Sequence, residues 1–314
     1  MDAGDTMTTV TMRDEHHPDA VLPVEPEFTQ QYVDATCEGA VTAAGLKVAI
    51  VGLARNLGDL LPVTMQRIYD TAAMFRDYRI VIVENDSADG TAETLQQWAK
   101  DDPEHVIVQT NKTGRPQLRG FEPQRMQAMA EYRNRCQDLV REHYSDCEYI
   151  IVLDTDAWGG WSNQGILNGI TWHERMPMAG CMASTSLFKH GGIQVAGEIK
   201  WCHYDQFAFR WYGWAVRMEA WFPFWLPAPG ATPLEVNSAF GGLAIYKPEA
   251  YLSARYSSPD GDCEHVHLHR MMKEKGWTTH LNPAQRCVMS WLVDEEPSDA
   301  AEHHSHDQCR AVPS

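Results

Sequence analysis

One apolar run, residues 149–153, leads directly into two carboxylates, Asp154 and Asp156. The run is rich in β-branched residues and predicts a buried strand. Open α/β folds bind ligands at the carboxyl ends of their strands, so the two aspartates are expected at a ligand site. Neighbouring carboxylates repel each other unless a cation joins them, and oxygen ligands suit Mg²⁺ or Mn²⁺. The plainer alternative is a turn in which an aspartate caps a helix.

Composition limits the class of protein. The chain has 314 residues, 44% of them hydrophobic, which is enough for one large domain or two small ones. A net charge of −17 disfavours nucleic acid and anionic membrane surfaces, because both need a lysine and arginine footprint. A metal ion would still offset the charge of a phosphorylated small molecule.

Several features predict a cytoplasmic protein. No apolar run is long enough for a transmembrane segment. The first 17 residues lack the apolar core of a signal peptide. The eight cysteines are scattered without metal-site spacing, as is typical of reduced thiols.

Strands and helices alternate in the first half of the chain. Strands are predicted at 46–53, 79–83, 105–109 and 149–153, and apolar residues recur at helical spacing between them. This alternation predicts a parallel, doubly wound α/β sheet. Neither the glycine-rich dinucleotide motif nor a P-loop is present in the sequence.

The chain divides by composition into a central domain and two ends. We expect a flexible segment over residues 1–45, a catalytic domain over 46–293 and a disordered tail over 294–314. The domain is predicted to have a catalytic half, 46–156, and an acceptor half, 157–293.

The acceptor half is rich in aromatic residues. The aromatic segment of residues 198–230 holds Trp201, Tyr204, Phe207, Phe209, Trp211, Tyr212, Trp214, Trp221, Phe222, Phe224 and Trp225. Core packing is one interpretation. Stacking on sugar faces is a second, and contact with a protein or a peripheral contact with a membrane surface is a third.

Four segments of the first half together resemble the nucleotide-sugar half of a GT-A fold glycosyltransferase, close to the family-2 type. They are VAIVGLARN (48–56), VENDSADGT (83–91), RMQAMAEYRN (125–134) and IIVLDTD (150–156). Three second-half segments are similar to the fungal capsule-associated α-1,3-mannosyltransferases, namely Tyr204-Asp205, Phe240-Gly241-Gly242-Leu243 and Cys263-Glu264. Over roughly residues 46–290, the resemblance implies a Rossmann-like, mostly parallel GT-A sheet flanked by helices.

The resemblance implies a metal-dependent glycosyltransferase. Such an enzyme moves a hexose from a UDP- or GDP-linked sugar to a hydroxyl acceptor, here a glycan or glycoconjugate. Mn²⁺ or Mg²⁺ held by Asp156, and by Asp154 directly or through water and ribose, would stabilise the leaving diphosphate. GT-A enzymes usually add a histidine ligand from the C-terminal half. His267 is the first choice for it, ahead of His269 and His280.

Residues at two strand exits are expected to bind the nucleotide. Those after the first and second strands are Ala54, Arg55, Asn56, Glu84, Asn85 and Asp86. Asn85 departs from the family pattern, which often has a carboxylate there. Arg133 lies on an otherwise apolar helical stripe and needs an anionic partner. The diphosphate and an internal salt bridge near Asp154 are both candidates.

Glu264 is the candidate general base for the acceptor hydroxyl. It begins a predicted helix, where a carboxylate that stabilises the helix dipole is an equal alternative. His265 follows it where family-2 enzymes often have aspartate. In a retaining reaction Glu264 would bind the acceptor instead, and the sequence leaves the stereochemistry open.

Two other functions fit this pattern less well. A non-catalytic carbohydrate-binding protein would keep the fold, but the Asp-Thr-Asp sequence argues against it. A sugar nucleotidyltransferase usually has a glycine-rich phosphate loop after its first strand, and residues 52–56 do not supply one.

Overall fold

A computed structural model describes residues 16–118, 120–195, 198–216 and 219–291. The α-helices are α1 (Pro18–Val21), α2 (Thr29–Ala43), α3 (Leu60–Ala72), α4 (Thr91–Asp101), α5 (Pro123–His143), α6 (Asn163–Arg175), α7 (Pro248–Ser253) and α8 (Glu264–Glu274). The strands are β1 (Lys47–Ala54), β2 (Asp77–Asn85), β3 (Val106–Asn111), β4 (Tyr149–Asp154), β5 (Gly160–Trp161), β6 (Ala179–Val195), β7 (Glu198–His203), β8 (Leu234–Val236), β9 (Leu243–Tyr246) and β10 (Thr278–Ser290). No described helix combines the length and apolar character that crossing a bilayer requires. The predicted tail over 294–314 lies outside the described residues.

The described strands form one sheet. Its order is β3-β2-β1-β4-β9-β6-β10-β5, with β7 beside β6 and β8 beside β10. Strands β1 to β4 run parallel to one another, and β6 runs parallel to β10, while β9 is antiparallel to both of its neighbours, β4 and β6. The predicted α/β fold with a mostly parallel sheet is therefore confirmed.

Hydrophobic side chains cover both faces of the sheet because successive strand residues point to opposite sides. In β1, Val48 and Ile50 belong to a core that includes side chains of α3, α4 and α6. Ala49 and Val51 belong to a second core with side chains of α5, α7 and α8. Helices on both faces are what a parallel sheet needs to exclude water from its strands.

Strand register brings the predicted site residues to one edge. Leu53 of β1 is level with Asp154 of β4, and Ala54 is level with Glu84 of β2. The parallel strands therefore end together, and their exits form the carboxyl edge of the sheet. This edge is where a ligand site is expected in an open α/β fold.

The N-terminal segment differs from the prediction over its described part. A flexible segment was expected over residues 1–45, of which 1–15 lie outside the described residues. Helix α2 nevertheless spans Thr29–Ala43 and packs against α6. Its buried face is made largely of small residues, and a Cβ on Gly39 would lie 1.8 Å from the Leu167 carbonyl oxygen. Close backbone packing against α6, rather than a stripe of large apolar side chains, therefore fixes α2 on the domain.

Stability is expected to fall in mild acid because histidines are buried without charge. His269 is fully buried, and its Nδ1 and Nε2 lie 2.9 and 3.0 Å from the Ser238 and Tyr246 hydroxyl oxygens. Burial lowers the pKa of His269 to about 3. The unfolded chain takes up this proton below about pH 6.5 and the folded chain does not, so stability is lost as pH falls through that value.

The expected loss at pH 5 is about 2 kcal/mol per such histidine. Urea denaturation at pH 7.5 and pH 5 measures it. His269→Gln should reduce the pH dependence, whereas His143→Gln should not, because the His143 side chain is 41% exposed. Equal pH dependence in wild type and His269→Gln would contradict the assignment.

Candidate functional site

A buried arginine joins carboxylates from two parts of the chain. Arg133, on α5, is 4% exposed. Its Nη2 donates to Asp154 Oδ1 at 3.0 Å, and its Nε donates to Glu264 Oε1 at 2.9 Å. The guanidinium carbon lies 4.9 Å from the centre of the Phe240 ring. Of the two anionic partners considered for Arg133, the structure shows the internal one.

Asp154 ends β4 in a position that suits a cation. Its backbone N–H donates to the Gly242 carbonyl at 2.8 Å, and its side chain is 26% exposed. Burial raises the pKa of Asp154 to about 7, with Arg133 opposing the shift and Asp156 adding to it. The two carboxylates therefore interact, and a divalent cation would favour their ionised forms.

The predicted histidine ligand does not join this pair. In the described part of the chain, no group of three or more His, Cys, Asp or Glu side chains is arranged to hold a metal ion. His267 Nε2 lies 2.8 Å from Asp260 Oδ1. The prediction of His267 as a third ligand, together with both aspartates, is thus not met by this arrangement.

The other two histidine candidates are placed elsewhere. Both ring nitrogens of His269 face hydroxyl groups, as described above. His280 of β10 pairs with Met182 of β6, and Met182 pairs with Ile245 of β9. Ile245 in turn pairs with Ile151, which lies three residues before the end of β4. Neither residue lies at the exit of β4.

Three of the predicted nucleotide-binding residues hold loops together. Asn56 and Asp86 adopt left-handed backbone conformations, with φ of 49° and 57°. Asn56 Oδ1 accepts from the Ala88 N–H at 2.8 Å, and Asp86 Oδ1 accepts from the Gly114 N–H at 2.9 Å. Asn85 Oδ1 accepts from the Asn111 side chain at 2.9 Å. Strained backbone of this kind is concentrated at functional sites.

Two other residues at this edge keep unsatisfied polar atoms. Glu84 is 1% exposed, and its Oε1 accepts from the Ser87 N–H at 2.7 Å. Glu84 Oε2 and Arg55 Nε are buried without a hydrogen-bond partner in the described residues. Leaving such groups unpaired is costly, so both fit a ligand that supplies the missing partners. Ala54 is buried at the end of β1 and contributes its backbone position.

Glu264 begins α8 and is enclosed. It is 4% exposed, its Oε1 accepts from Arg133, and its Oε2 lies 3.8 Å from Cys263 Sγ. Burial raises the pKa of the Cys263 thiol, so the sulfur keeps its proton and donates it. Both carboxylate oxygens of Glu264 are therefore engaged.

A glycine pair links the site to a carboxylate that sequence reasoning did not assign a role. Gly241 and Gly242 have φ of 68° and 74°, and a Cβ on Gly241 would lie 1.9 Å from the Ser184 carbonyl oxygen. The Gly241 N–H donates to Asp205 Oδ2 at 2.8 Å. The signals in the sequence were the paired glycines before a strand and the Tyr204-Asp205 motif.

The aromatic segment has an inner and an outer side. Phe209, Phe222 and Trp225 are in contact, with His203 stacked on Phe222 at 4.3 Å between ring centres. On the outer side, Tyr212 is 84% and Phe224 is 55% exposed. Core packing accounts for the inner residues, and the outer ones keep a surface role open.

The fold is similar to those of solved glycosyltransferase structures. A mannosyltransferase from Pyrobaculum calidifontis, in complex with GDP-Man and Mn²⁺, has a TM-score of 0.48 and 14% identity, covering 83% of this chain and 66% of its own. GalNAc-T7 with UDP, GalNAc and Mn²⁺ has a TM-score of 0.50 and 13% identity, covering 90% and 55%. S. aureus TarS in complex with UDP-GlcNAc has a TM-score of 0.49 and 11% identity, covering 86% and 62%.

These likenesses concern the fold. No protein-family model and no curated protein matches the sequence. The chain spans between 55% and 66% of the length of the three structures, and the low identities carry no information on substrate. The family-2 type and the fungal mannosyltransferase resemblance stay predictions. At a TM-score of 0.50, the comparison supports the fold that the sequence predicted, that of a GT-A type glycosyltransferase.

Proposed function

We propose that this chain is a metal-dependent glycosyltransferase that moves a hexose from a UDP- or GDP-linked sugar to a hydroxyl group of a glycan or glycoconjugate. The observation that carries the proposal is the position of Asp154, whose carboxylate interacts electrostatically with that of Asp156 two residues later. Asp154 ends β4 in register with the exits of β1 and β2, at the carboxyl edge of the sheet. One structure of similar fold, that of GalNAc-T7, contains UDP, GalNAc and Mn²⁺.

The two aspartates fit a Mn²⁺ or Mg²⁺ ion. They offer hard carboxylate oxygens, and burial has left Asp154 with a pKa of about 7 that a cation would lower. Such ions commonly take few protein ligands and complete their shell with phosphate and water oxygens, so a histidine is not required. When bound, the ion would stabilise the negative charge of the leaving diphosphate.

The nucleotide would lie over the exits of β1 and β2. Glu84 Oε2 offers an acceptor for a base or ribose donor, and Arg55 Nε offers a donor. Asn56, Asn85 and Asp86 would hold the surrounding loops through the hydrogen bonds described above. Arg133 fixes the position of the Asp154 side chain, because its guanidinium donates hydrogen bonds to both Asp154 and Glu264.

Glu84→Gln is expected to weaken nucleotide binding about tenfold, since a charged acceptor is replaced by a neutral one. Isothermal titration with UDP and GDP in the presence of Mn²⁺ measures the affinity. Glu93→Gln, a matched change at an exposed position of α4, should leave the affinity unchanged. Equal affinities of wild type and Glu84→Gln would remove Glu84 from the nucleotide site.

A ligand panel tests the function itself. The melting temperature of the full chain is measured with UDP- and GDP-linked sugars, with and without Mn²⁺, and released nucleotide is identified by mass spectrometry. Stabilisation that needs both the metal and one nucleotide class, with slow release of that nucleotide, is the expected result. Absence of any stabilisation would contradict the proposal.

A non-catalytic carbohydrate-binding protein is the second candidate. One observation favours it, namely the exposure of the Tyr212 and Phe224 rings, which are available to stack on sugar faces. Binding of a glycan without any response to nucleotide sugars and Mn²⁺ would support this alternative.

A further inference from the structure

The carboxylate predicted as the general base is not open to an acceptor. A base must come within about 2.6–3.2 Å of the hydroxyl whose proton it takes. Glu264 is 4% exposed, with Oε1 engaged by Arg133 and Oε2 by the Cys263 thiol. An acceptor would have to break an ion pair with Arg133 before reaching this side chain. Glu264 is therefore better suited to holding Arg133 than to binding a substrate.

Asp205, unlike Glu264, has a carboxylate oxygen that can accept a further hydrogen bond. It follows β7 and is half-buried. Its Oδ2 accepts a hydrogen bond of 2.8 Å from the Gly241 N–H, whereas its Oδ1 accepts only a longer one of 3.3 Å from the Ala208 N–H. The Asp205 N–H donates to Ser186 Oγ at 3.1 Å, which fixes the backbone. One oxygen is thus anchored, and the other keeps capacity for a further donor.

The glycine pair places Asp205 beside the metal-binding candidates. Gly241 donates to Asp205, and the next residue, Gly242, accepts from the Asp154 N–H at 2.8 Å. Two hydrogen bonds and the turn at Gly241 and Gly242 therefore connect Asp205 with Asp154. Their charges interact accordingly, since Asp205 contributes to the raised pKa of Asp154.

The surroundings of Asp205 also suit a proton acceptor. Burial raises the pKa of Asp205, with the charge of Glu264 adding to the effect and Arg133 opposing it. A raised pKa makes a carboxylate a stronger base near neutral pH. Burial raises the pKa of the preceding residue, Tyr204, and the charges of Asp156, Asp205 and Asp154 add to this shift.

We propose that Asp205 is the catalytic residue that binds the acceptor hydroxyl and takes its proton, an inference that rests on the proposed function. The proton passes to Asp205 Oδ1 as the acceptor oxygen forms a bond to the anomeric carbon. The bond from that carbon to the diphosphate oxygen breaks, and its electron pair leaves on the diphosphate. Asp205 then gives the proton to solvent. This single displacement inverts the anomeric centre.

Asp205→Asn in the full chain tests the proposal. The donor is the nucleotide sugar that wild type hydrolyses in the panel, with Mn²⁺ present and water as the acceptor. The kcat is expected to fall about a hundredfold or more, while the KM and the ligand-induced rise in melting temperature stay unchanged. Asp138→Asn, an equivalent change at a side chain 43% exposed, should keep wild-type kcat.

A second variant separates catalysis from folding. Asp205→Ala removes the carboxylate and leaves room for a small one, so added formate is expected to raise its turnover about tenfold. A purely structural role of Asp205 would not respond to formate. Turnover of Asp205→Asn within twofold of wild type, or no formate response in a folded Asp205→Ala, would overturn the proposal while leaving the glycosyltransferase function standing. A wild-type chain that neither binds nor hydrolyses any nucleotide sugar would overturn both.

Discussion

Replacing Asp156 by alanine is expected to lower turnover of the nucleotide-sugar donor by about a thousandfold or more, because the leaving diphosphate would lose its bound cation. The Mn²⁺-dependent rise in melting temperature should disappear with it. Release of nucleotide, followed by mass spectrometry under saturating donor, measures the first effect. Thermal shift with and without Mn²⁺ measures the second.

The same substitution should leave the chain folded without metal, which circular dichroism checks. The charge of Asp156 adds to the raised pKa of Asp154, so the variant also loses a repulsion at the strand exit. Asp146→Ala, a matched change at a side chain 65% exposed, should keep both turnover and the response to Mn²⁺. Unchanged turnover in Asp156→Ala would remove the metal assignment.

The placement of the site residues at one edge of the sheet was predictable, because it is determined by where the parallel strands end. The apolar runs ending at residues 53, 83 and 153 predicted parallel strands, and parallel strands place their carboxyl ends at one edge. The residues that follow these runs, Ala54, Glu84 and Asp154, lie at that edge in the structure. The anionic partner of Arg133 was also foreseeable in kind, since an arginine on an apolar helical stripe has to be neutralised.

Contacts between distant segments were not predictable from the sequence. The role of Asp205 depends on the turn at Gly241, 36 positions further along the chain, and no local pattern connects them. The enclosure of Glu264 depends on Arg133, which lies on another helix. In such cases the sequence predicts the residue type, while the tertiary structure decides which oxygen stays accessible.

Helix α2 was missed for a different reason. Its buried positions include Ala35, Gly39 and Ala43, which recur every four residues but are too small to form an apolar stripe. Small residues allow close backbone contact instead, as at Gly39 against the Leu167 carbonyl. A search for alanine and glycine at helical spacing would have indicated this helix.

Arg133→Met is expected to lower the free energy of unfolding by about 3–5 kcal/mol, the usual cost of removing one partner from a buried ion network. Asp154 and Glu264 would then share the sheet edge without a neutralising charge. Urea denaturation gives the value. The control is Arg255→Met, which breaks an ion pair with Asp138 whose side chains are 41% and 43% exposed. Exposed pairs contribute about 1 kcal/mol at most, so the control should remain close to wild type.

The pH dependence of this loss distinguishes lost charge from lost packing. Arg133 holds down the pKa of Asp154, which burial has already raised to about 7. When the folded pKa of a carboxyl exceeds its unfolded value, the protein loses stability as pH rises through the folded pKa. Without Arg133 the pKa of Asp154 moves higher. The loss in free energy of unfolding relative to wild type should therefore be larger at about pH 8.5 than at about pH 6. A deficit that does not change with pH would mean that Arg133 contributes through its contact with Phe240 rather than through its charge.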